Sequence, residues 1–118
     1  RDRSFLQRIH DRSDCFQGRV ASREQIQVQL DFPQHAPWVA LFKQLWKEGL
    51  RSWRARNASD ATCVFLCELG PPPYAITDAN RLELSDRWQE ALTIRGWVRE
   101  LWAELEAESS VTEGVAHV

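Results

Sequence analysis

The run Val64-Phe65-Leu66-Cys67-Glu68-Leu69-Gly70-Pro71-Pro72-Pro73-Tyr74 brings one carboxylate to a place where α/β proteins often do chemistry. An apolar stretch of strand length, opened by a β-branched residue, leads to Glu68 and then meets a glycine and three prolines. Residues without N–H donors cannot extend a sheet ladder, so the spacing predicts a strand over 62–68 with Glu68 at its C-terminal end. In α/β folds that end gathers binding and catalytic groups. The competing reading is a strand-end glutamate that only faces solvent. A second candidate is His10, which closes a loosely alternating stretch over 4–10: Phe5, Gln7 and Ile9 against Leu6, Arg8 and His10. That alternation reads as a short strand. On residue type alone His10 is an imidazole hydrogen-bonded to backbone, and Arg12 a solvated loop cation.

The elements that must position these groups belong to a chain of 118 residues, enough for one domain with modest burial. Formal charge is −2 and the basic residues are scattered, so neither nucleic acid nor an anionic membrane is an expected partner. No apolar run approaches the roughly 20 residues that span a bilayer. The three cysteines give no disulfide framework. Cys63 and Cys67, four apart on the expected strand, share a face with no second Cys/His pair for zinc. They read as small hydrophobes in a reducing compartment, which makes a cytoplasmic location the expectation. The chain contains no methionine, and the expectation is a piece of something longer.

The segment from Asp11 to Pro37 is polar, with Gln25, Gln27, Gln29 and Gln34, and reads as one long connection. Trp38, Leu41, Phe42, Leu45, Trp46, Gly49, Leu50 and Trp53 then form one apolar stripe, with Pro37 in or before the first turn. A helix is predicted there, fraying near 57–60. A second helix should start at Ser85 or Asp86, either of which can cap it. Its expected inward stripe is Trp88, Ala91, Leu92, Arg95, Val98, Leu101, Trp102 and Leu105, with Glu90, Arg99, Glu100 and Glu104 outward. Residues 109–118 read as a disordered tail. The predicted order is strand, loop, helix, strand, loop, helix, which implies parallel strands with helices packed on them. Two parallel strands alone are poorly covered. A part of a larger α/β barrel accounts for this pattern, with residues 1–108 as its C-terminal portion.

Here the residues carry a resemblance. His10-Asp11-Arg12, the Gln-rich loop with Pro33 and Ala36-Pro37-Trp38, the helix bearing Trp46 and Trp53, and Glu68-Leu69-Gly70-Pro71-Pro72-Pro73-Tyr74 resemble the sugar phosphate isomerase/epimerase group of the xylose-isomerase-like TIM-barrel superfamily. The likeness spans about residues 5–107, and its last motif is the most specific. It implies the last two βα units of a (β/α)8 barrel, and a sugar or sugar-phosphate substrate. It also implies one divalent cation, Mn²⁺, Mg²⁺ or similar, held in the intact parent. His10 matches a histidine ligand, Glu68 a glutamate ligand that also moves the proton, and Arg12 a basic residue that holds substrate oxygens. The cation would stabilise an enediolate as a proton or hydride passes between adjacent carbons. The other carboxylate ligands have no counterpart in this chain, so these residues alone are not expected to be active. Gln27, Asp31 and Tyr74 are further candidates for lining the site. The rival reading is a non-catalytic module whose Trp-rich amphipathic helices bury their faces against a partner, or a barrel homologue without activity. A phosphodiester-cleaving relative would need further ligands and a basic surface.

Overall fold

The computed structural model describes residues 3–116 of the chain. Its elements are helix α1 (Arg3–His10), strand β1 (Cys15–Gly18), a 3₁₀ turn (Pro33–His35), helix α2 (Ala36–Arg56), strand β2 (Val64–Cys67) and helix α3 (Arg87–Ala116). β1 and β2 pair in parallel with Cys15 opposite Val64, Phe16 opposite Phe65, Gln17 opposite Leu66 and Gly18 opposite Cys67. The architecture is mixed helix and strand, with each strand followed by a helix.

The expected strand over 4–10 is a helix. Phe5, Leu6 and Ile9 lie on one side of a helical turn, and this i, i+1, i+4 spacing outweighs the loose alternation. α1 packs along α2. Its polar end is tied down by Asp11, which accepts from Ser52 Oγ at 2.8 Å and from Gln7 Nε2 at 2.8 Å. Arg56 Nη2 donates to the carbonyls of His10 and Ser13 at 3.0 and 2.9 Å.

The first strand lies instead inside the polar segment that reads as one connection. It is only four residues long and ends at Gly18, which is buried because Phe65 and Ile94 occupy the space beside it. A Cβ at Gly18 would stand 2.7 Å from Phe65 Cζ and 3.2 Å from Ile94 Cγ2, so the helix–sheet contact requires glycine here. Beyond β1 the chain is held by Val28 N donating to Val20 O (3.0 Å), and both valines are fully buried. These two, with Trp46, Ile94 and Leu101, form the core under one sheet face. Trp46 meets Phe65 edge-on at a centroid distance of 5.5 Å.

α2 falls where the apolar stripe predicts, with Trp46, Gly49, Leu50 and Trp53 buried. β2 also lies in the predicted span. α3 begins one residue past Asp86, whose Oδ1 accepts from Gln89 N at 3.0 Å, so Asp86 is the cap. α2 and α3 run parallel. Lys43 lies over the Trp97 ring, Lys47 Nζ meets Glu104 Oε2 at 2.6 Å, and Arg51 Nη2 meets Glu108 Oε2 at 3.2 Å, both sets of numbers rising together.

The start of α3 corrects the expected stripe. Trp88 is 69% exposed, while Arg87 and Glu90 are buried. The polar pair turns inward, where Glu90 finds partners for both oxygens and Arg87 for one nitrogen. Arg87 Nη2 pairs with Glu90 Oε1, and Glu90 Oε2 accepts from Leu30 N at 2.8 Å. Both Glu90 oxygens are thereby used, while Arg87 Nε and Nη1 are buried without a hydrogen-bond partner, so the pair is costly to bury and more costly to break. The segment expected as a tail is helical through Ala116, and residues 117–118 lie outside the described residues.

Candidate functional site

Parallel pairing gives the sheet two unlike edges. Both strands begin near the end of α2, where Arg56 holds the carbonyls of His10 and Ser13 just before Cys15. Both end at Gly18 and Cys67. Four residues of strand at a rise of about 3.3 Å separate the edges by about 10 Å.

Glu68 stands at the C-terminal edge, as its position before the prolines predicts. Its N–H donates to Gly18 O at 3.0 Å, so the ladder runs one step beyond the strand. His10 and Arg12 stand at the opposite edge. The His10 ring lies beside Gly49, whose added Cβ would approach His10 Cδ2 to 3.3 Å, and its buried Nδ1 has no hydrogen-bond partner. Arg12 is exposed in the turn that ends α1, its N–H donating to Ile9 O at 3.1 Å. Of the three residues chosen from sequence, therefore, the fold brings neither His10 nor Arg12 to Glu68.

What it does bring is Arg19. Strand alternation puts Cys15 and Gln17 of β1 and Val64 and Leu66 of β2 on one exposed face, and Arg19 and Glu68 continue that face past the paired residues. Arg19 Nη1 lies 4.0 Å from Glu68 Oε1. Both side chains are partly open to solvent, 28% and 44% exposed, so the attraction is screened and adds little stability. A strand-end x-Arg pattern was available in Gln17-Gly18-Arg19, but the short strand inside a polar segment hid it.

Two loops frame this edge. The Gln27 carboxamide is buried and holds Gly70 at both ends: its Nε2 donates to Gly70 O (3.0 Å), and its Oε1 accepts from Gly70 N (2.8 Å). This fixes the Gln-rich loop to the turn after Glu68, so Gln27 is a positioning residue rather than a lining one. Pro72–Pro73 is cis, and Tyr74, 69% exposed, projects from the turn. Asp31 and Glu90 share a cleft of about 460 Å³ with Leu30, Ser85, Asp86 and Trp97, beside the start of α3. The cysteines are apart from this edge or turned under it. Burial raises the half-buried Cys63 and Cys67 thiols above their ordinary value.

The donor set at the C-terminal edge is one carboxylate, one carboxamide and a guanidinium. Among the described residues, no group of three His, Cys, Asp or Glu side chains converges in a way that could hold a metal ion. With His10 at the far edge and a fixed positive charge beside Glu68, His10 and Glu68 do not converge on one cation as the expected pair of ligands. Among the described residues no helix is long and apolar enough to cross a membrane. Comparison with family models, curated proteins and solved structures finds no match to the chain.

Proposed function

We propose that the chain is the C-terminal portion of a TIM-barrel protein of the sugar or sugar-phosphate isomerase/epimerase kind, with the C-terminal edge of β1 and β2 as its ligand end. The observation that supports the barrel is the bare sheet face. Val64 and Leu66 are 59% and 52% exposed while their alternate neighbours Phe65 and Cys67 pack under α2 and α3. A parallel sheet is ordinarily covered on both faces, and two four-residue strands leave two unpaired edges as well. Further parallel strands curling over Val64 and Leu66 would cover that face and close those edges. The motif from Glu68 to Tyr74 supports the sugar reading, and Glu68 is the group placed to move a proton between adjacent carbons of the substrate.

Hydrogen exchange tests the barrel directly. In the 118-residue chain alone, the amides of 15–18 and 64–67 should exchange rapidly. In the full product of the encoding reading frame the same amides should be among the slowest. A monomeric 118-residue chain that protects both strands as strongly as its helices would remove the need for a barrel. That result would favour the rival interaction module, in which the Trp-rich helices, with Trp88 exposed at the start of α3, meet a partner.

A further inference from the structure

We propose that Gln17, Arg19 and Glu68 form a metal-independent site for a polyhydroxylated ligand, with the Arg19 guanidinium supplying the positive charge that a divalent cation would otherwise bring. The inference rests on the barrel reading, in which this edge faces the substrate.

The register carries it. Gln17 stands opposite Leu66, and Glu68 lies two residues farther along on the same face. Arg19 is two residues beyond Gln17 on that face and 4.0 Å from Glu68. The three side chains divide the work of hydrogen bonding. A carboxylate only accepts, a guanidinium only donates, and a carboxamide does both. Adjacent hydroxyl and carbonyl oxygens of a sugar offer the complementary set: a hydroxyl donates to Glu68 while its neighbouring oxygen accepts from Arg19. The Gln27 clamp on Gly70 holds the turn beyond Glu68 in place, so the site is largely formed before a ligand arrives.

The same geometry disfavours a cation. An ion set against Glu68 would face a guanidinium that stays protonated throughout the working pH range, and the imidazole expected as its partner ligand, His10, stands at the other end of the strands. The chemistry balances without it. A proton leaves the carbon next to the carbonyl for a Glu68 carboxylate oxygen, the C–H electron pair becomes a C=C bond, and the carbonyl π pair moves onto its oxygen to give an enediolate. Arg19 N–H groups hydrogen-bond to that oxygen. Glu68 returns that proton to the former carbonyl carbon while the proton of the neighbouring hydroxyl passes to the enediolate oxygen, so that this hydroxyl becomes the new carbonyl and an aldose–ketose exchange is complete with no net oxidation.

The test is calorimetry on the full-length protein with a ketohexose and with an aldonate as probes, first in EDTA and then with Mn²⁺. Binding is expected in EDTA, unchanged by Mn²⁺. Arg19→Gln and Glu68→Gln should each weaken it about tenfold or more, the usual loss when a hydrogen bond to a charged group is removed. A complementary variant, Gln17→His combined with Arg19→Gln, should acquire Mn²⁺ binding that the parent lacks. Sugar binding that appears only with Mn²⁺ would overturn the proposal. So would binding indifferent to both substitutions, micromolar Mn²⁺ binding by the parent that Glu68→Gln abolishes, or no binding of either probe. Hydrogen exchange on the same samples separates the two failures: protected strands without sugar binding remove this site and leave the barrel, and unprotected strands remove the barrel itself.

Discussion

The two edges of the sheet carry similar residue types and use them in opposite ways. At the N-terminal edge, Asp11 is taken up by Ser52 and Gln7, and Arg56 holds the carbonyls of His10 and Ser13. Asp11 and Arg56 are spent on partners within the frame, joining α1 and the end of α2 to the start of β1. At the C-terminal edge, Arg19 and Glu68 meet at 4.0 Å with both side chains partly open to water, while the buried bonds lie just behind them in the Gln27–Gly70 clamp and the Arg87–Glu90 pair. A functional edge holds its reactive groups half-free on a rigid frame, and a structural edge leaves few groups to spare. Residue type alone does not tell the two apart.

The comparison is broken most severely through the frame behind the C-terminal edge. Glu90→Ala leaves Arg87 buried without its countercharge and removes the acceptor for Leu30 N. Loss of one member of a buried pair costs about 3–5 kcal/mol, and urea unfolding should show a drop of that order. A result under about 1 kcal/mol would mean that water reaches Arg87 and the frame is not rigid. At the opposite edge, Arg56→Met removes two exposed bonds to backbone carbonyls and should cost about 1 kcal/mol without altering any ligand affinity.

Asp11 sharpens the contrast through pH. The Ser52 hydroxyl and then Gln7 hold its carboxyl below the ordinary value of 3.8. A carboxyl lower in the folded state stabilises the fold above its ordinary value, and that stabilisation is lost as pH falls through the lower, folded value. Stability of the chain should therefore fall less steeply with acid in Asp11→Asn, measured as the melting temperature between neutral and acid pH. The smallest effect expected is that of Glu68→Gln on stability, within about 0.5 kcal/mol, because its pairing with Arg19 is solvent-screened. A large loss would make Glu68 a structural residue like Asp11 and erase the difference between the edges.

Much of this organisation was legible along the chain. The stripe from Trp38 to Trp53 prescribes α2, the prolines at 71–73 stop β2 and leave Glu68 at its end, and Asp86 caps α3. These follow from local rules: helical periodicity, missing N–H donors and a side chain that serves orphan amides. α1 and β1 were harder to read. Eight residues at the start of the chain fit both a loose alternation and a short helical face, and only packing against α2 selects the helix. β1 offers four residues with one aromatic in a glutamine-rich segment, and only pairing with β2 makes it a strand.

By itself, then, the sequence determined the two long helices and the point where the second strand must stop, with the carboxylate at its end, because helical periodicity and missing N–H donors act within a few residues. Tertiary structure alone decided the rest. It put Arg19 beside Glu68 and sent His10 to the other edge, because the register between two strands separated by a whole helix sets which side chains meet. It turned Arg87 and Glu90 inward and Trp88 outward, because a buried charge is tolerated where distant groups such as the Leu30 amide satisfy it.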